Sequence, residues 1–151
     1  MTTLIETTLV DLDLDAAAST KDAAIARLVA LAAADGRVTD QEQLLADVRA
    51  RELQMATGLE GGVGIPHARS SAVTTATVAF GRSADGIDFG ASDGPARLVF
   101  LIAAPDTEDG QHLKVLAALA RRLVHASFRD ALLTAPDAEA VVDLFRREVE
   151  I

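Results

Sequence analysis

The stretch that most constrains this chain is residues 96–103, a nearly continuous apolar run (Leu98, Val99, Phe100, Leu101, Ile102) bounded by Pro95 and Pro105. A strand at a solvated surface alternates apolar and polar residues. One that is apolar at every position has two faces to hide, which suits the centre of a sheet covered on both sides. The cover has to come from helices, and the rest of the chain is patterned to supply them. An α/β layered architecture follows, and 151 residues fit a single domain spanning 1–151.

The flanking elements are read from periodicity and capping. Residues 8–14 alternate (Thr8-Leu9-Val10-Asp11-Leu12-Asp13-Leu14) and predict a short strand. Ser19 and Thr20 offer N-caps for a helix over Lys21–Ala34 with Ile25, Leu28, Val29 and Ala32 on one face, stopped by Asp35-Gly36. Thr39-Asp40-Gln41-Glu42 reads as a capping box for a second helix over 40–55, burying Leu44, Leu45, Val48 and Leu53. Residues 74–82 predict a strand and 81–94 a loop with a short strand around 87–89. Helices are expected over 111–125, with Leu113, Leu116, Ala117, Ala120, Leu123 and Val124 as the apolar stripe, then over 127–133, and from Asp137 onward.

Composition removes several functions. With 14 basic and 23 acidic residues, the formal net charge is −9. That charge repels phosphate backbones and anionic lipid, so no nucleic-acid partner is expected. No apolar run approaches the roughly 20 residues a bilayer span needs, and the N-terminus shows no secretory pattern. A cytoplasmic protein without direct membrane insertion is the expectation. The chain has no Cys, which removes disulfides, thiolate metal sites and cysteine nucleophiles. It has no Trp or Tyr on which a base or sugar could stack.

The residue with the most chemical promise is His67, in the loop Gly61-Gly62-Val63-Gly64-Ile65-Pro66-His67-Ala68-Arg69-Ser70. Pro66 fixes its own φ and biases Ile65 towards extended backbone. The glycines allow close approaches and can aim successive N–H groups at an anion. An imidazole presented there has a nucleophilic nitrogen near neutral pH. On these residues alone, two readings stand: a covalent nucleophile, or an ordinary surface histidine. The same holds for its possible partners. Arg51 is either a phosphate clamp or a solvated helix-end cation. His112 either meets a ligand at a helix N-terminus or points to water. Thr57 either donates a hydroxyl to the site or ends a helix. Arg69, two residues from His67, projects to the same side in extended backbone and faces a ligand, a partner or solvent. Asp88 and Asp93 read as loop caps, and His125 as a helix-end residue favoured by the dipole. No P-loop, nucleophile elbow or zinc-protease pattern occurs, so no cofactor and no metal are expected.

Taken together, Arg51-Glu52, Thr57-Gly58, Gly62-Val63-Gly64-Ile65-Pro66-His67 and Gln111-His112-Leu113-Lys114-Val115-Leu116 with Leu119-Ala120 resemble the fructose/mannitol-type enzyme IIA domain of the bacterial sugar phosphotransferase system. The likeness covers nearly the whole chain. His67-Ala68-Arg69-Ser70, Gly86-Ile87-Asp88-Phe89 and 98–105 resemble the fructose branch in particular. One departure is Gly64, where the family more often has Ala.

The resemblance implies a central mixed sheet with helices on both sides. It implies a phosphotransferase in which His67 accepts a phosphoryl group from the phosphocarrier HPr and passes it to a cysteine of a IIB partner on a separate chain. Arg51 and His112 would stabilise the phosphate, and Thr57, Gly64 and Arg69 would line the site. Two other readings are weighed. One is a regulatory, nitrogen-type member of the same fold that signals by phosphorylation state. The other is a metal-dependent hydrolase using His67 and His112.

Overall fold

The computed structural model describes residues 4–107 and 111–149. The apolar run forms the centre of the fold, as its patterning requires. Strand β6, Ala96–Pro105, is buried at every position except Arg97. It belongs to a 6-stranded mixed sheet. On one edge β6 pairs antiparallel with β5, Thr77–Ile87. Beyond β5 lies the short β1, Val10–Asp11, parallel to it. On the other edge β6 runs parallel to two short strands in succession, β3 (Val63–Gly64) and β4 (His67–Ser70). The two-residue β2, Gly58–Leu59, pairs antiparallel with β3.

Helices cover both faces. Phe80 of β5 and Phe100 of β6 stand opposite each other, ring centroids 4.8 Å apart, and Phe100 meets Phe145 of α5 (Ala138–Glu148) at 6.4 Å. Arg82, two residues beyond Phe80 on the same face, donates to the carbonyls of Leu132 and Ala135 at the end of α4, Ala126–Thr134. Helix α3, Gln111–Leu123, packs on β6. On the other face α1, Lys21–Ala34, packs on β5 and against α2, Gln41–Gln54, which lies along β4.

Several local expectations change. Residues 8–14 form no strand of that length: 3₁₀ turns at Thr7–Leu9 and Leu14–Ala16 flank the two residues of β1. Leu9 and Leu14 are nevertheless buried, because a 3₁₀ turn can bury isolated residues as well as a strand can. The helix cap before α2 is Asp40, whose carboxylate accepts from Gln43 N, while Thr39 donates its hydroxyl to Ala72 O. Strand β5 starts later than expected and runs on to Ile87, through the segment read as a loop, with a register irregularity between Arg82 and Ile87. Leu53 is 88% exposed rather than buried. Among the described residues of α3, Leu119 and Leu123 are buried, whereas Leu113 and, just past the helix end, Val124 are 57% and 75% exposed.

In the connection between α1 and α2, Arg37 is buried and pairs with Asp35 at 2.7 Å. Burial pushes the Asp35 carboxyl up, but hydrogen bonds from Thr8 and Arg37 and the guanidinium charge outweigh it and hold the group below its ordinary value. No helix among the described residues is long and apolar enough to cross a membrane.

Candidate active site

The glycine-rich segment is a hairpin leading into an interrupted strand. Leu59 faces Val63 across a turn in which Gly61 (φ 96°) and Gly62 (φ 79°) take left-handed backbone that other residues avoid. Gly61 N donates to the Asp93 carboxylate at 2.9 Å, so the anion this backbone holds is part of the protein. Gly62 O accepts from the N–H groups of both Arg97 and Leu98, which starts β3 against β6.

From there the register along β6 is unbroken. Val63 faces Leu98 and His67 faces Ile102, with the same offset. Between them Pro66 has no N–H to give, so one bond of the ladder is missing, while its carbonyl still accepts Ile102 N at 3.1 Å. His67 therefore begins a strand instead of sitting in a loop. It stands beside Ile102, near the carboxyl end of the central strand, where open α/β sheets commonly place ligands. Strand alternation buries Ala68 and Ser70 and turns His67 and Arg69 to the opposite face, with His67 half-buried and Arg69 exposed.

The ladder to β6 uses Gly62 and Pro66, so the peptide groups of Ile65 face the opposite edge, towards Thr57. Ile65 N donates to Thr57 O at 3.1 Å, and the Ile65 carbonyl lies 2.9 Å from His67 Nδ1. A carbonyl can only accept, so Nδ1 carries the proton. In the neutral ring Nε2 then holds the free lone pair, and among the described residues no protein group bonds it.

The turn after α2 is pinned from below. Glu52 is buried at 6% exposure. Its Oε1 accepts the Thr57 hydroxyl at 2.7 Å, and its Oε2 accepts Thr57 N at 2.9 Å and Lys21 Nζ at 3.4 Å. The proton of the Thr57 hydroxyl is thus committed to Glu52. Arg51, half-exposed in the last turn of α2, donates Nη1 to Met55 O at 3.2 Å. Among the described residues its other N–H groups have no protein partner. His112 lies in the first turn of α3, and its side chain is outside the described residues. Asp88 caps its own turn through Gly90 N at 2.8 Å.

Gly64 has a physical role that sequence reading missed. Its φ is not left-handed, and a Cβ there would sit 2.7 Å from the ring of Phe89, which is fully buried. The residue is small to admit Phe89, not to loosen the backbone before Pro66. Glu52 was also missed as a buried residue. It continues the Leu44–Val48 stripe by four positions, which was the available signal.

Residues 3–148 match the family model described as phosphoenolpyruvate-dependent sugar phosphotransferase system, EIIA 2. The chain belongs to this family. Its members are phosphotransferase components that work through a phosphohistidine, and this chain is one of them. It is similar to the fructose-specific EIIA component of Haloferax volcanii, 44% identical over 133 residues that cover 87% of this chain and 86% of that one. It is also similar to the fructose-specific EIIABC component of Bacillus subtilis, 35% identical over 84% of this chain but only 20% of that much longer protein. Among solved structures, the nitrogen regulatory protein IIA-Ntr of Neisseria meningitidis superposes with a TM-score of 0.84 at 31% identity, covering 93% of this chain and 95% of that one. Among the described residues no three His, Asp or Glu side chains cluster in a way that could hold a metal ion.

Proposed function

We propose that His67 is the phosphoryl acceptor of this EIIA protein and that it reacts through Nε2. The observation that carries this is the Nδ1 to Ile65 O bond, which fixes the proton on one ring nitrogen and leaves the other free at the strand's start. The Nε2 lone pair attacks phosphorus in line as the bond to the donor's leaving group breaks. The ring becomes cationic, and Ile65 O, already accepting from Nδ1–H, stabilises that charge without reorganising. In the second transfer a thiolate attacks the same phosphorus, the N–P bond breaks, and its electron pair returns to Nε2.

The phosphoryl oxygens need donors, because little covalent chemistry is left for the protein to perform. Arg51 has unpartnered N–H groups for this, and His112 begins the helix next to β6. Arg69, exposed on His67's face, suits contact with the incoming protein. Gly64 and Thr57 shape the loop rather than touch phosphate: one makes room for Phe89, and the other has given its proton to Glu52.

The donor is HPr and the acceptor a cysteine of a IIB component; the similarity to fructose-specific relatives supports fructose as the sugar served. Incubation with phosphoenolpyruvate, enzyme I and HPr is expected to give an acid-labile phosphate on the wild type and none on His67→Ala. Equal labelling of both would remove His67 from the role. The regulatory reading has the likeness to IIA-Ntr at 31% identity in its support and fits less well than the fructose-specific relative at 44%. It makes one different prediction: phosphate that enters this protein does not move on to a IIB cysteine.

A further inference from the structure

We infer that Glu52 is a positioning residue for phosphoryl transfer, setting the His67 ring through a line of hydrogen bonds that runs through Thr57 and Ile65. The line can be followed bond by bond. The Glu52 carboxylate takes both donors of Thr57, the amide at 2.9 Å and the hydroxyl at 2.7 Å. Thr57 O then accepts Ile65 N at 3.1 Å, and Ile65 O accepts His67 Nδ1 at 2.9 Å. Each bond fixes the next peptide's direction, so the orientation of the Ile65 carbonyl depends on where Thr57 is held.

Burying a carboxylate is costly unless it is satisfied by donors and a counter-charge. Glu52 has both, with Lys21 of α1 supplying the charge at 3.4 Å. A helix end that needed only a stop could be closed by glycine or water at much lower cost. The same clamp also fixes the turn at 55–57, on whose Met55 carbonyl Arg51 rests. One buried group thereby positions the acceptor ring from one side and the guanidinium from the other. Glu52 touches neither phosphate nor His67.

The inference rests on His67 being the acceptor, and the two can fail separately. Labelling of His67→Ala sinks that reading, whereas the ring signals of His67 test the hydrogen-bond line whether or not it carries phosphate. Glu52→Gln keeps the shape of the side chain but replaces one acceptor oxygen by a donor amide, so it cannot accept both Thr57 protons. In ¹⁵N-edited long-range spectra, wild-type His67 is expected to show a single Nδ1–H tautomer. The ring of folded Glu52→Gln should show a mixture, and transfer from HPr should slow roughly tenfold in kcat with little change in KM, as a misplaced nucleophile would give.

Thr57→Val, which keeps the amide but loses the hydroxyl, should move both readouts in the same direction. Thr57→Ser should recover what Thr57→Val loses. If Glu52→Gln fails to fold, the Thr57 pair carries the test. A folded variant with wild-type ring signals overturns the hydrogen-bond line, and one with altered signals but wild-type kcat overturns the positioning role.

Discussion

The two edges of β6 are built from similar residues and do different things. On the β5 edge the ladder is continuous from Thr77 against Ala103 to Arg82 against Leu98. On the β3–β4 edge the register is equally regular, and Pro66 leaves out one donor while its carbonyl still accepts Ile102 N. The continuous edge commits its backbone to the sheet and carries the Phe80–Phe100–Phe145 cluster. On the other edge the peptide groups of Ile65 face away from β6, where they bond Thr57 and the His67 ring. The aromatic cluster and the proposed acceptor are thus placed on opposite sides of one strand, joined by a regular register.

That division can be broken from either side. The largest stability effect should come from the continuous edge. Phe100→Ala removes a fully buried ring between two others and is expected to cost about 3–5 kcal/mol in denaturant unfolding. Below its melting temperature the variant should still form phosphohistidine; loss of labelling in a folded Phe100→Ala protein would mean that the edges are not separable. Next in size is Gly64→Ala. The added methyl meets a Phe89 ring that is itself enclosed, so a loss of about 1–3 kcal/mol is expected, read as a lower melting temperature. A neutral outcome would show that Phe89 has room to shift. The smallest stability effect belongs to Arg51→Ala, about 1 kcal/mol or less for a half-exposed side chain with one bond to a carbonyl. Its transfer rate should nevertheless fall by roughly tenfold or more if the guanidinium meets the phosphoryl oxygens. An unchanged rate returns Arg51 to the role of a helix-end cation.

Much of the architecture was legible in the sequence. The apolar run of β6 required cover on both faces. Helix α1 was legible, because Thr20 is a strong local start signal and Asp35-Gly36 a strong stop. Boundaries that depend on partners were not legible. The continuation of β5 through Gly86 exists because β6 lies beside it to pair with Ile87, and a polar sequence there does not announce that partner. Leu113 and Val124 share helical spacing with residues that are buried, and spacing alone does not say which arc of α3 meets the sheet.

At the site, the sequence by itself determined the chemical groups: a histidine after proline, an arginine at a helix end, a threonine, and a second histidine heading a later helix. Their pattern was enough to identify the family, because such residues recur in order only where one site uses them. The tertiary structure alone decided how each is used. It placed His67 on a strand with Nδ1 against the Ile65 carbonyl, tied the Thr57 hydroxyl to Glu52, and set Gly64 against Phe89. Above all it buried Glu52 beneath the site. The reason is physical: a hydrogen bond depends on distance and direction between groups far apart in the chain, and neither is written in the order of the residues.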